Sequence, residues 1–135
     1  MEAQGRREFS GHADQVAAAR RFVASAIHAP GPARDVSRLL VSEAATNALL
    51  HSASGDGGTF AVEYAISDHR LRVEVHDGGA PTGPRRRVHH VESVTGRGLD
   101  LFDALSDRWG VDGTPAGRTV WFELDLAGQE AHSGK

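Results

Sequence analysis

The run Arg34-Asp35-Val36-Ser37-Arg38-Leu39-Leu40-Val41-Ser42-Glu43-Ala44-Ala45-Thr46-Asn47-Ala48-Leu49-Leu50-His51 decides how the rest of the chain is read. Val36, Leu39, Leu40 and Leu50 form an apolar stripe, which predicts an amphipathic helix that starts near Arg34 and ends in the small and polar residues Ser52 to Gly58. Glu43 and Asn47 stand one helical turn apart and share a face with Val36, Leu40 and Leu50, so both are expected to point inward. A carboxylate removed from water is costly unless something compensates it, so the position asks for a metal, a polar ligand or a water network. Asn47 can offer its amide oxygen to a hard cation such as Mg²⁺, and Glu43 can orient or deprotonate a nucleophile. A blander reading stands beside this one, with the pair at the stripe's edge and bonded to each other or to solvent. His51 extends the face by another turn, either as a polar helix end or as a group near phosphate.

Upstream, residues around Arg7 to Ser10 suit a short strand, and Val16, Ala19, Val23 and Ile27 recur at helical spacing. Ala29-Pro30-Gly31-Pro32 then forces a turn. Downstream, Phe60, Val62, Tyr64 and Ile66 alternate with Ala61, Glu63 and Ala65, and Leu71, Val73 and Val75 alternate with Arg72, Glu74 and His76. Ser67-Asp68-His69-Arg70 joins the two strands as a hairpin. Asp77 has the parity of Leu71, Val73 and Val75, so its carboxylate is aimed at the core side as the strand ends. It needs donors there. The amino group of a purine base is one source, with Gly79 letting backbone approach the flat ring, and an ordinary turn aspartate before Gly78-Gly79 is the other reading.

From Gly78 to Thr95 the chain offers little apolar surface, and a long mobile loop of the lid or ligand-binding kind is expected. His89-His90 fall in it with no carboxylate or cysteine at ligand spacing, and are read as lid surface. Gly96-Arg97-Gly98 opens a short helix carrying Leu99, Leu101, Phe102 and Leu105, where free amide hydrogens and the helix dipole favour a phosphate. A lone Gly-x-Gly is a weak signal, and no third glycine completes a dinucleotide fingerprint. Gly113 to Thr119 likewise fails the phosphate-loop pattern, with short spacing and Arg118 in place of lysine. A second hairpin closes the chain: Arg108 to Asp112, a turn with Gly113, Pro115 and Gly117, then Val120, Phe122, Leu124 and Leu126 alternating with Trp121, Glu123 and Asp125. Residues 1–135 thus read as a single domain with a core from about 7 to 126, and 127–135 as a flexible tail.

Composition narrows the function classes. With 39% hydrophobic and 24% charged residues the chain has ordinary globular character, and 135 residues suffice for one core. A net charge of -3 argues against a direct nucleic-acid binder, and Arg85-Arg86-Arg87 is the only dense positive cluster. The absence of cysteine excludes disulfides, zinc-thiolate sites and cysteine nucleophiles. Neither a leader nor a stretch approaching the ~18 apolar residues of a membrane span is evident, so a cytoplasmic protein without membrane contact is expected.

Taken together, Ser42 to Ala48 with His51, Val75-His76-Asp77-Gly78-Gly79, Gly96-Arg97-Gly98-Leu99-Asp100-Leu101 and Gly117 to Leu124 resemble the GHKL superfamily of ATPases and kinases. In particular, they look like the small histidine-kinase-like ATPase domain of bacterial anti-sigma factors of the serine-protein-kinase type. The resemblance implies an α/β (α+β) two-layer sandwich, with a mixed β-sheet, helices on one face and a mobile lid, the Bergerat-type ATP-binding fold. It implies ATP and Mg²⁺ as cofactors, Glu43 as general base, Asn47 as Mg²⁺ ligand, and Asp77 as the adenine reader. Gly96, Arg97 and Gly98 would form the triphosphate loop, His51, Gly79 and Leu99 would belong to the ATP site, and Thr119 would lie near its adenine end. It further implies a sigma factor and a STAS-type anti-anti-sigma protein as partners, and it allows a homodimer. The chain departs from the family's pattern at Pro81, where the first glycine box usually has glycine, and at Asp100, where the second often does. Those departures motivate the alternative of a nucleotide-binding regulatory module with little or no kinase activity.

Overall fold

A computed structural model describes residues 2–28, 31–51, 58–77, 97–114 and 117–126, with backbone alone at 50, 51, 97–99 and 114. The described residues include five strands: β1 (Ala3–Ser10), β2 (Thr59–Ser67), β3 (Arg70–Asp77), β4 (Arg108–Thr114) and β5 (Gly117–Asp125). Three helices lie among the same described residues: α1 (Asp14–Ala24), α2 (Pro32–His51) and α3 (Arg97–Leu105). The sheet order is β1-β2-β3-β5-β4. Every pairing among the described strands is antiparallel, where the expectation was of a mixed sheet. β1 also begins four residues before the expected Arg7, because its register with β2 runs unbroken from Ala3↔Ile66 to Ser10↔Thr59.

Alternation along the strands divides the sheet into two unlike faces. Phe9, Phe60, Val62, Ile66, Leu71, Val73, Val75, Val120, Phe122 and Leu124 are buried on one face and share a single core with Val16, Ala19 and Val23 of α1, Leu40, Val41, Ala44, Ala45 and Ala48 of α2, and Phe102 of α3. The helices therefore form a second layer on that face, giving the expected two-layer α+β sandwich. Burial of this kind, at roughly 25 cal/mol per Å² of apolar surface, supplies most of the drive to fold.

The outer face is an ion lattice. Arg72 bonds Glu74 and Glu123, each at 2.9 Å, and its guanidinium lies 4.3 Å from the Trp121 ring centroid. Burial alone would lower the Arg72 pKa, but the bonds to Glu74 and Glu123 outweigh it and hold it above its ordinary value. Arg70 and Arg108 approach the same Glu123, and Arg6 pairs with Glu63 at 3.3 Å. Beside this lattice Trp121 lies over Gly110, where a Cβ would stand 2.7 Å from the indole nitrogen. Only glycine lets the ring settle flat on the edge strand.

Within α2 the buried face differs from the expected stripe. Ser37, Leu40, Val41, Ala44, Ala45 and Ala48 are buried, whereas Leu39 is 40% exposed. Adjacent leucines point about 100° apart on a helix, so Leu39 and Leu40 cannot share the core, and the small alanines let α2 sit close to the sheet. Ser37 satisfies its buried hydroxyl by donating to the Arg34 carbonyl at 2.8 Å. The helix also starts at Pro32 rather than Arg34, since proline is at ease in a first turn whose amides have no helical partner, and Gly31 O accepts from the amides of Arg34 and Asp35.

Candidate functional site

With the core face of α2 centred on Val41, Ala45 and Ala48, Glu43 and Asn47 fall on its flank and are half-buried. They share that flank with half-buried Val36, and no hydrogen bond joins either side chain to the other or to another described residue. They do not bond each other, so of the blander reading the edge position open to solvent is what remains. A carboxylate and an amide held on a half-buried flank with their hydrogen-bonding capacity unspent are suited to an external polar partner.

Asp77 completes β3 on the helix-covered face, as its parity requires, and its side chain is only 4% exposed. Its cross-strand partner is Arg118. The Arg118 amide donates to Asp77 Oδ1 at 3.2 Å, and Arg118 Nε lies 3.2 Å from Asp77 Oδ2. That second approach is an ion-pair contact whose N–H is not directed at the oxygen, so Nε, Nη1 and Nη2 of Arg118 are all buried without a hydrogen-bond partner. Gly117 makes the close approach of the strands possible, because a Cβ there would stand 3.1 Å from the Asp77 carbonyl oxygen.

Thr119 is a different case. It pairs with His76, and its hydroxyl lies 2.8 Å from His76 Nδ1 on the outer face of the sheet. Strand alternation therefore separates Thr119 from Asp77 by the thickness of the sheet, and the inward position beside Asp77 belongs to Arg118. Sequence reasoning missed Arg118, although the parity of Val120, Phe122 and Leu124 carried one step back lands on it.

α3 begins at Arg97 and packs against α2 and β4 through Phe102, whose ring meets Trp109 and Phe122 edge-on at centroid distances of 6.0 and 5.8 Å. Backbone at Arg97, Gly98 and Leu99 thus forms the first turn of a helix anchored beside α2, where amide hydrogens are free of helical partners. Asp100 in the same turn is exposed. His51 closes α2 by its backbone. Gly79, Gly96 and the expected lid from Gly78 to Thr95, with Pro81 and His89-His90, lie outside the described residues.

Two other features hold none of the expected site residues. A cavity of about 510 Å³ lies between α1 and the opposite flank of α2, lined by residues including Val16, Arg20, Thr46 and Leu49. On the outer face, ligand atoms of Glu63, Glu74 and His76 lie within 4.8 Å of one another. These three are half-buried and already engaged with Arg6, Arg72 and Thr119, so they belong to the ion lattice.

The site's elements thus come from one side of the sheet: the α2 flank, the end of β3 facing the start of β5, and the start of α3. The family model of the histidine kinase-like ATPase domain matches residues 9–124. The chain belongs to this family. No match is found among curated proteins. Membership makes the chain a GHKL-type, ATP-binding, kinase-like regulatory domain, generally one that uses Mg²⁺. The residues present fit that cargo: the unspent oxygens of Glu43 and Asn47 suit a hard cation, and the Arg118 donors suit an acceptor-bearing ligand. No helix among the described residues is long and apolar enough to cross a membrane.

Proposed function

We propose that this domain is an anti-sigma factor with serine/threonine protein kinase activity toward a STAS-type anti-anti-sigma protein, acting in the cytoplasm and regulating transcription by sequestering a sigma factor rather than by touching nucleic acid. The observation that carries the reading is the half-buried Glu43–Asn47 pair, unpartnered among the described residues, in a domain of the histidine kinase-like ATPase family. Phosphoryl transfer asks the protein mainly for positioning and charge neutralisation. Mg²⁺, when bound, supplies neutralisation of the phosphate charge. Asn47 is the residue to hold it, and Glu43 takes the proton from the attacking seryl or threonyl hydroxyl as the new O–P bond forms and ADP departs. Asp77 and Gly79 receive the adenine, while Gly96, Arg97, Gly98 and Leu99 offer backbone donors to the phosphates, with His51 at the end of α2. A homodimer is compatible with this role.

The test mixes the purified protein with Mg-ATP and the cognate antagonist. Glu43→Gln should lower phosphoprotein formation by about 10²- to 10⁴-fold, the range for loss of a general base, while ATP still raises the melting temperature. Wild-type rates in folded Glu43→Gln would sink the assignment. A second reading, a nucleotide-binding module without turnover, draws on Asp100: its carboxylate occupies the first turn of α3, where helix polarity would otherwise favour phosphate. Heat of ATP binding with no phosphoprotein would favour that module.

A further inference from the structure

Among the described residues Arg118 alone has all three guanidinium nitrogens buried without a hydrogen-bond partner, and neither the fold nor the family assignment absorbs them. It is 91% buried (9% exposed), and its guanidinium has no hydrogen-bond partner. Asp77 supplies a counter-charge at 3.2 Å but no directed acceptor. A buried donor left unmet costs roughly as much as the hydrogen bond it fails to make, so native structures that contain one generally use it for something.

The place of these donors identifies their partner. Asp77 and Arg118 are directly opposite on neighbouring strands, both on the helix-covered face, so an acceptor and a set of donors stand side by side. The Watson–Crick edge of adenine presents the complement on adjacent atoms: the exocyclic amine is a donor and ring nitrogen N1 an acceptor. We infer that Arg118 is a base-reading residue that donates a hydrogen bond to adenine N1 while Asp77 accepts from the exocyclic amine. This rests on the ATP-binding reading of the same site. A hypoxanthine or guanine base would oppose both groups, with a carbonyl facing the carboxylate and an N–H facing the guanidinium. Arg118 therefore adds a second discriminating contact to that of Asp77, from a position that strand alternation fixes.

The experiment deletes the acceptor from the ligand and the donor from the protein. Binding of Mg-ATP and of its 1-deaza analogue, which carries C–H in place of N1, is measured by calorimetry on the wild-type chain, Arg118→Gln and Arg118→Met. A hydrogen bond from a charged donor corresponds to roughly ten- to hundredfold in affinity, so the wild-type protein should prefer ATP by that factor. Arg118→Gln should keep part of the preference, and Arg118→Met should bind both ligands within about threefold. ATP binding without preference in the wild-type protein, which needs no variant to fold, overturns the inference and leaves the nucleotide reading intact. A preference that survives unchanged in Arg118→Met also overturns it. Failure of the wild-type chain to take up ATP at millimolar concentration removes the nucleotide reading, and this inference with it.

Discussion

Replacing Asp77 by asparagine removes the carboxylate that faces Arg118 while keeping the side chain's volume, and the nucleotide-free protein should register the loss. Both partners are nearly inaccessible, at 4% and 9% exposed. Breaking a buried ion pair by removing one partner costs about 3–5 kcal/mol, chiefly because the other charge is stranded. The lower end applies here, about 3 kcal/mol, because the Nε approach is not a directed hydrogen bond. Arg118→Met strands less. The remaining carboxylate keeps the position-118 amide that reaches Oδ1 at 3.2 Å, which any residue but proline supplies. About 1–2 kcal/mol is expected for that change. Urea unfolding followed by circular dichroism measures both, and with slopes of about 1–3 kcal/mol per M the Asp77→Asn midpoint should fall by roughly 1–3 M. If Arg118→Met proved as damaging as Asp77→Asn or more so, the claim that the guanidinium depends on this carboxylate would fail.

Two further changes test how the site is held. Phe102→Ala removes the fully buried ring that anchors α3 on Trp109 and Phe122 and should cost about 3–5 kcal/mol in thermal or urea unfolding, with ATP affinity falling in whatever fraction remains folded. In the β2–β3 turn Asp68 and His69 both adopt left-handed backbone, with φ of 53° and 64°, so His69→Gly should stabilise the protein by about 0.5–1 kcal/mol, read as a rise in melting temperature, without altering nucleotide binding.

Much of the fold was legible because strand alternation is a strict rule with one degree of freedom. The inner residues of β2 and β3 follow from period two alone, and the same rule places Asp77 inside, two residues past the last valine. It would have placed Arg118 as well. Arg118 stands where a phosphate loop would carry lysine, and the resemblance points instead to Thr119, whose parity puts it on the other face with His76. The misreading of α2 has another origin. Leucines dominate the expected stripe, yet a helix lying close on a sheet buries its small residues, and Leu39 is left 40% exposed while Ala44, Ala45 and Ala48 fill the core. Glu43 and Asn47 therefore sit on the flank of the buried face, which is a better place to meet a ligand than its centre. What no pattern could reveal was the state of the Arg118 donors, because whether a buried guanidinium finds its acceptors depends on angles between two strands.

The two faces of the sheet carry the same residue type in opposite circumstances. Arg72 is 37% exposed, bonds two carboxylates and covers Trp121, so it is satisfied by the protein itself. Arg118 is 9% exposed and bonds none. An apolar pair in place of Asp77 and Arg118 would often be as stable as the ion pair or more stable by about 1–4 kcal/mol, so the arrangement weakens the empty domain. A ligand present at a hundred times its Kd returns about 2.7 kcal/mol to the folded state, which is the same size as that deficit. The instability left where the end of β3 meets the start of β5 is thus of the magnitude a bound nucleotide can offset, and a domain with this site should be firmer with ATP than its apolar core alone would make it.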